Sequence, residues 1–130
     1  MKKATKSSMK KKAKAQRTKA WALLSSKLRK ETPYCQKCGR TEHLQVHHLL
    51  PRKLYPQLLL EESLLIVLCP RCHTFCRESA HKDGLAFAIW LEENFPEKWA
   101  AAKKYLNDSL IAPEKSAGGF AVAFAALTNA

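Results

Sequence analysis

Two cysteine pairs constrain the fold of this chain more than any other feature of its sequence. Cys35 and Cys38 form one C-x-x-C pair, and Cys69 and Cys72 form the other. A gap of two residues lets one tight turn present both sulfurs to the same ion, and tetrahedral Zn²⁺ accepts four thiolates. The pairs therefore predict a structural zinc ion held by all four cysteines, with two separate redox pairs or unliganded core thiols as the alternative.

The size and cysteine count of the chain favour a bound metal over disulfide bonds. A chain of 130 residues fits one domain, and a domain this small buries a limited core, so a structural metal helps it fold. The fifth cysteine, Cys76, makes the count odd, which favours a metal site in a reducing compartment and a partly buried free thiol at Cys76. No apolar run approaches the roughly 20 residues of a membrane span. We therefore expect a cytoplasmic protein without a membrane partner.

The positive charge of the chain is concentrated at its N-terminal end. The formal net charge is +12, and twelve Lys or Arg residues but no acidic residue precede Glu31. From Glu31 onward the acidic and basic residues balance. Residues 1–17 are Lys-rich and of low complexity, so we expect them to form a flexible basic arm. Such an arm binds nucleic acid because each cation near a phosphate releases condensed counterions, although a solvated tail or another anionic surface fits the same charge.

Apolar periodicity predicts a small domain of helices and strands over residues 18–111. The pattern predicts helices over 18–29, over 83–94 and from Pro96 onward, and strands at 44–46 and 64–68. A further helix is expected to open near Cys72 and His73. The uncharged, apolar segment 112–130 is expected to form a C-terminal tail, to which no chemical role is assigned.

Histidines lie at both ends of the segment that separates the cysteine pairs. His47 and His48 are adjacent at the end of a predicted strand, and His73 directly follows the last cysteine of the second pair. The thirty residues between the pairs exceed the roughly 15–20 of a simple zinc ribbon. A zinc ion that closes the pairs on each other would also bring His73 close to His47 and His48.

These pieces together resemble the zinc-stapled HNH endonucleases, whose core is also called the ββα-metal or His-Me finger. The family pattern runs C-x-x-C, a strand ending in D/H-H-x-x-P, an Asn-containing loop, and L-C-x-x-C-H at the start of a helix. The matching pieces of this chain are Cys35–Cys38, His47–Pro51 and Leu68–His73, and the resemblance covers about residues 33–82. It implies an α+β fold in which a small ββα-metal core is stapled by a four-cysteine zinc site and flanked by helices.

The resemblance also implies a role for each histidine. His48 matches the general base that takes a proton from the attacking water, and His47 and His73 match ligands of a catalytic divalent ion. Imidazole ligands suit Mn²⁺, Co²⁺ or Ni²⁺ better than Mg²⁺, so we expect the former ions to be preferred. Arg52 and Lys53 closely follow the base and are candidates for binding DNA phosphates, although solvated surface charge explains Lys53 equally well.

The chain departs from the family pattern at two positions. Ser63 and Leu64 stand where the family has its middle Asn, which braces the loop of the general base. We expect Ser63 to take this supporting catalytic role, with one hydrogen bond in place of the two-sided bracing of an amide. Arg77 stands one turn after His73, where the family often has a further His. His81 lies eight residues after His73, about two helical turns, and is not expected to bind the metal.

The leading hypothesis is a metal-dependent DNA endonuclease that hydrolyses phosphodiester bonds, either cutting the duplex or nicking one strand. The alternative is a catalytically weak or inactive zinc-dependent nucleic-acid-binding module, which the missing Asn favours. A zinc-stabilised adaptor for protein interactions is a third option, supported by the apolar C-terminus. Chains of this size and pattern resemble stand-alone bacteriophage HNH proteins, which implies the host cytoplasm as location and phage packaging proteins as partners. No sequence feature specifies an oligomeric state.

Overall fold

The computed structural model describes residues 5–106 and 108, which form three α-helices and one two-stranded sheet. The helices are α1 (Lys6–Glu31), α2 (Gly84–Asn94) and α3 (Pro96–Leu106), and the strands are β1 (Gln45–His48) and β2 (Leu65–Leu68). Short 3₁₀ turns occupy Pro56–Leu58 and Glu62–Leu64, and one π-helical turn occupies Arg71–Phe75. No helix in this part of the chain is long and apolar enough to cross a membrane. The predicted apolar tail at 112–130 lies outside the described residues.

Strands β1 and β2 pair antiparallel, and the two faces of the pair meet different parts of the molecule. Val46 is paired with Val67, and His47 with Ile66. Because side chains alternate between the faces of a strand, Val46 and His48 point to one side of the sheet and His47 points to the other. The alternation of side chains along β1 therefore places the two adjacent histidines on opposite faces of the sheet.

The C-terminal half of α1 covers the face that carries Val46 and His48. The side chains that make this contact recur at the predicted helical spacing and pack against three apolar residues of the sheet. They are Trp21, Leu24 and Leu28 on the helix, and Val46, Leu65 and Val67 on the strands. This small apolar cluster fixes the direction of α1 relative to the sheet.

The basic segment is helical over residues 6–17, so the predicted start of the first helix is corrected. Helix α1 begins at Lys6, whereas the apolar pattern predicts a start at Thr18. Lys, Ala and Gln are good helix formers, and the Thr5 hydroxyl caps the helix by accepting a hydrogen bond from Ser8 N at 3.1 Å. Residues 6–17 are helical because they have high helix propensity and because they extend the C-terminal half of α1, which packs on the sheet; their low sequence complexity does not prevent this. The division of the chain into an arm and a domain at residue 17 stays a prediction.

The helix predicted to open at Cys72 and His73 is a single π-helical turn instead. The turn ends at Phe75, where the backbone becomes extended. The chain then folds back, because Ala80 N donates to Cys72 O at 2.9 Å and His81 N donates to His73 O at 3.1 Å. These return contacts replace the hydrogen bonds that a continuing helix would make.

Helices α2 and α3 build the main core beneath the other face of the sheet. The Asp83 carboxylate caps α2 by accepting a hydrogen bond from Ala86 N at 3.0 Å, and Pro96 opens α3. The buried side chains of this core include Ile66, Leu68, Phe87, Leu91, Trp99 and Ala102. The architecture confirms the predicted fold class: a small α+β domain with an antiparallel hairpin, helices and a four-cysteine cluster, consistent with a ββα-metal core.

Candidate active site

The four predicted zinc ligands form one cluster. The sulfur atoms of Cys35, Cys38, Cys69 and Cys72 all lie within 4.8 Å of one another. Cys38 Sγ and Cys69 Sγ are 3.5 Å apart. Two sulfurs bound to tetrahedral zinc are separated by about 3.8 Å, so the geometry fits. The cluster therefore suggests a structural zinc ion, and the fifth cysteine, Cys76, is not part of it.

Backbone contacts hold the cysteine cluster against the sheet. Gly39 has a φ of +83°, in the left-handed region, and its N–H donates to Cys35 O at 2.9 Å. Gln36 ties the first cysteine pair to β2, since Gln36 N donates to Val67 O at 2.9 Å and Val67 N donates to Gln36 Oε1 at 2.8 Å. Burial raises the pKa of the Cys72 thiol, so a bound cation is needed to hold that sulfur as a thiolate.

Three histidines form a second candidate metal centre, called the histidine cluster below. His47, His73 and His81 each offer one nitrogen, and these atoms lie within 4.8 Å of one another. His73 Nε2 and His81 Nε2 are 2.9 Å apart, slightly closer than the ~3.3 Å expected for two nitrogens on a tetrahedral ion. His47 Nε2 is buried and has no hydrogen-bond partner among the described residues. Leaving such a nitrogen unpaired costs free energy, and a metal ion would satisfy it.

Neighbouring side chains set the tautomer and the charge of the histidine cluster. Gln45 Oε1 lies 2.7 Å from His73 Nδ1, and because an amide oxygen only accepts, Nδ1 carries the proton and Nε2 keeps its lone pair. Phe87 packs edge-on against the His47 ring, with centroids 5.6 Å apart. Burial, followed by repulsion from neighbouring histidines, lowers the pKa of His47 well below its usual value and the pKa of His73 to about 4. Both imidazoles are therefore neutral at pH 7, which is the form that binds metals.

His81 belongs to the histidine cluster although its sequence position argued against it. The spacing argument holds only for a helix that continues past His73, in which eight residues amount to about two turns. The chain instead folds back after its π-helical turn, which returns His81 to His73. Arg77, which stands where the family often has its further ligand, is not in the cluster. Two residues gave a sequence signal that the helix expected at His73 ends early: Ser79, which favours a turn, and Asp83, which caps the next helix.

His48 points toward α1 and is held at its face and at one edge. Its ring packs on Trp21 with centroids 4.4 Å apart, and its Nε2 lies 3.2 Å from Leu59 O. A carbonyl oxygen only accepts, so Nε2 carries the proton and Nδ1 keeps the lone pair. Burial lowers the pKa of His48, the Leu59 hydrogen bond opposes this shift, and the Arg52 guanidinium adds to it. His48 is thus a neutral imidazole at pH 7 with one nitrogen able to accept a proton.

The structure does not bring Ser63 to His48. The Ser63 hydroxyl donates to Glu61 Oε1 at 3.0 Å, and the Leu59 carbonyl holds His48 in its place. Serine has a short side chain with one hydroxyl, so it bonds locally where an amide would reach further. A catalytic role for Ser63 stays a prediction without a contact to support it.

His48 and the histidine cluster open onto one cleft of about 380 Å³. Strand alternation separates His47 and His48, but both reach this cleft because β1 ends at His48. Arg52 and Lys53 are exposed and line the same cleft, where they add positive charge beside His48. Trp21 forms an apolar part of its wall. The cleft therefore combines an imidazole that can accept a proton, three nitrogens close enough together to bind one metal ion, and two cations.

Residues 35–75, less than half of the chain, match the family model described as HNH endonuclease. No curated protein and no solved structure matches the chain. The matched residues include both cysteine pairs together with His47, His48 and His73, whereas α1 and His81 lie outside them. Over these residues the chain is similar to HNH endonucleases, a family of phosphodiester hydrolases whose substrates are nucleic acids. At this level the prediction from the sequence motifs is confirmed.

Proposed function

We propose that this HNH endonuclease domain hydrolyses phosphodiester bonds in DNA, with His48 as the general base and a divalent ion at the histidine cluster. The observation that supports the proposal is the single cleft shared by His48, His47, His73 and His81. The family match implies a nucleic acid as substrate, and the resemblance of the motifs to those of DNA-cutting enzymes favours DNA.

The histidine cluster fits a divalent transition-metal ion. Three imidazole nitrogens suit Mn²⁺, Co²⁺, Ni²⁺ or Zn²⁺, whereas Mg²⁺ prefers oxygen ligands. His47 Nε2 has no hydrogen-bond partner in the described part of the chain and the His73 imidazole is neutral, so both can donate a lone pair to a cation. We assign His81 as a third ligand beside His47 and His73. When bound, such an ion supplies charge stabilisation for the scissile phosphate and the leaving oxygen.

We assign to His48 the activation of the attacking water. The hydrogen bond from Nε2 to Leu59 O leaves Nδ1 as the acceptor, and the lowered pKa keeps it unprotonated at pH 7. Packing against Trp21 restricts rotation of the ring. The proton of the attacking water passes to Nδ1, the water oxygen forms a bond to phosphorus, and the bond from phosphorus to the 3′ oxygen breaks, with that oxygen taking a proton from solvent. The products carry a 5′-phosphate and a 3′-hydroxyl.

The remaining residues of the site support this reaction by binding phosphate and by fixing the histidines. Arg52 and Lys53 are exposed in the cleft, so they are assigned to phosphates beside the scissile bond. A zinc ion at the cysteine cluster would fix Cys72 and, through the adjacent backbone, His73 relative to the sheet.

A plasmid-nicking assay tests the proposal. Wild-type protein should cut supercoiled plasmid with Mn²⁺, Co²⁺ or Ni²⁺ and only weakly with Mg²⁺, and accumulation of open-circular plasmid would identify a nickase. The His48→Ala substitution should slow cleavage by at least about 100-fold, because general bases contribute that much or more. DNA binding should persist, since the base contributes little to holding the phosphate.

The matched control is His43→Asn, which removes an exposed histidine outside the cleft and keeps a residue that tolerates its left-handed backbone, with φ 55°. This variant should cut like the wild type. If His48→Ala cut plasmid as fast as His43→Asn, the assignment of His48 as base would be wrong.

A nucleic-acid-binding module without catalysis is the second candidate function. The hydrogen bond of Ser63 to Glu61 favours it, because the loop of the base then lacks a side-chain brace. The same assay separates the two, since such a module would bind DNA and leave it uncut with every metal. Phage packaging proteins as partners, and a location in the host cytoplasm, stay predictions that rest on the resemblance alone.

A further inference from the structure

One face of α1 carries a basic stripe that leads to the catalytic cleft. Arg17, Thr18 and Trp21 lie three, four and seven residues after Lys14, which places all four on a single face of the helix. Trp21 ends the stripe and packs on the His48 ring. Because the same face continues into the part of α1 that docks on the sheet, the stripe is held in line with the site.

This stripe forms one wall of a groove of about 510 Å³. The opposite wall comes from the segment after β1 and includes Arg52, Pro56 and Leu59. None of the residues that line the groove is acidic. Lys14 and Arg17 are exposed, and no ion pair is formed by either of them within the described part of the chain. The groove is therefore a cationic channel whose charges are free for an anionic ligand.

The groove and the catalytic cleft share walls. Trp21 and Arg52 line both cavities, and the Leu59 carbonyl that holds His48 belongs to a residue of the groove. A polyanion bound along Lys14 and Arg17 would therefore continue directly to the position of the general base. This continuity distinguishes the groove from the other charged surface of α1.

We propose that this groove binds the sugar-phosphate backbone of the substrate strand on one side of the scissile phosphate. The inference rests on the proposed nuclease function and adds α1, which lies outside the residues matched to the HNH family, as a substrate-binding element. Lys14 and Trp21 are seven residues apart, or about 10 Å along the helix axis. A strand of B-form DNA rises about 3.4 Å per nucleotide, so the groove accommodates about three nucleotides.

The test compares two double substitutions that remove the same number of charges from α1. Lys14→Gln with Arg17→Gln removes the groove cations. Lys12→Gln with Lys19→Gln removes two exposed lysines that lie roughly 150° around the helix axis from Lys14. Both are made in the His48→Ala background, so that labelled duplex and single-stranded DNA are bound and not cut. Affinity is measured by fluorescence anisotropy over a range of salt concentrations.

Loss of the groove cations should flatten the slope of log affinity against log salt by about 1.4 to 1.8, the value for two lost phosphate contacts. The opposite-face variant should keep the wild-type slope. In the catalytically active background, the groove variant should raise KM and leave kcat close to that of the wild type. Equal slopes for the two variants would overturn the groove proposal, even if the protein cuts DNA. Absence of cleavage by the wild type, with the expected difference in slopes, would reject the nuclease function and retain the groove.

Discussion

Two adjacent histidines of β1 contact different parts of the molecule because a strand sends successive side chains to opposite faces. His47 is only 5% exposed and leaves a nitrogen without a partner beside His73 and His81. His48 faces α1, where Trp21 and the Leu59 carbonyl hold its ring. A helix would have placed the two side chains about 100° apart on one surface. In the proposed function, the strand thereby separates the metal ligand His47 from the general base His48, although both side chains reach one cleft.

At the residue scale, we predict that His81 contributes to metal affinity. His81→Ala should weaken binding of Co²⁺ at the histidine cluster by at least tenfold, about the minimum effect of removing a group that supports a metal site. The titration follows the visible absorption of Co²⁺ in protein whose cysteine cluster is already loaded with zinc. His81 is exposed, so the substitution should leave the melting temperature nearly unchanged.

The control is again His43→Asn, which removes an imidazole that does not belong to the histidine cluster. If His81→Ala and His43→Asn bound Co²⁺ equally well, the metal would be held by His47 and His73 without His81. The contact between the rings of His73 and His81 would then be a packing contact only.

At the scale of secondary-structure elements, α1 performs two functions with one face. Its C-terminal half packs on the sheet through Trp21, Leu24 and Leu28. The N-terminal half presents cations along the same stripe, from Lys14 toward the cleft. A rigid helix transmits the position of the docked half to the exposed half, so packing of the apolar cluster also sets where the cations lie.

We predict that Trp21→Ala lowers both stability and turnover. Trp21 is partly buried against the sheet, so its loss should cost about 2 kcal/mol in the free energy of unfolding, less than the 3–5 of a fully buried Trp. It should also lower kcat, because the His48 ring loses the surface it packs on. Urea denaturation and plasmid cleavage measure the two effects.

Trp21→Phe should restore most of the lost kcat, since a ring again covers His48. Leu23→Ala is the matched control on the same helix, because Leu23 is 65% exposed and its truncation removes little packing. A kcat for Trp21→Ala equal to that of Leu23→Ala would show that Trp21 acts on stability alone.

At the scale of the whole molecule, the cysteine cluster joins segments that are distant in sequence. It links the turn after α1 to the end of β2 and to the π-helical turn that carries His73. A structural zinc ion in a small domain contributes about 10–16 kcal/mol in binding free energy, comparable with the entire stability of a domain at about 5–15 kcal/mol. Folding and metal binding should therefore be one process.

We predict that a Ser substitution at Cys35, Cys38, Cys69 or Cys72 unfolds the domain or makes it insoluble. Cys76→Ser is the control, because Cys76 lies outside the cluster and should tolerate the change. Circular dichroism melting and zinc analysis of the purified proteins provide the measurement, with one zinc per wild-type chain expected at the cysteines. A metal-free preparation with the same melting temperature as the zinc-loaded protein would contradict a structural role.

The elements nearest to strong local signals were predictable from the sequence alone. The cysteine pairs, the strand at Leu65–Leu68, the Asp83 cap of α2 and the Pro96 start of α3 all depend on residues within a few positions of one another. Two predictions failed where local pattern was a poor guide. Residues 6–17 are helical because the helix is capped and docked elsewhere, and the helix expected at His73 ends after one turn because the chain returns on itself.

The sequence by itself determined the four-cysteine cluster, the α+β class and the HNH motifs, because each depends on residue type and short spacing. Only the tertiary structure decided which groups meet in the cleft. His81 joins His47 and His73 through a chain reversal, and Trp21 reaches His48 through the docking of α1. Such contacts depend on where the backbone leads after a turn or across a packed face. No spacing along the chain encodes that path, so the third histidine of the histidine cluster and the groove on α1 emerge only from the folded molecule.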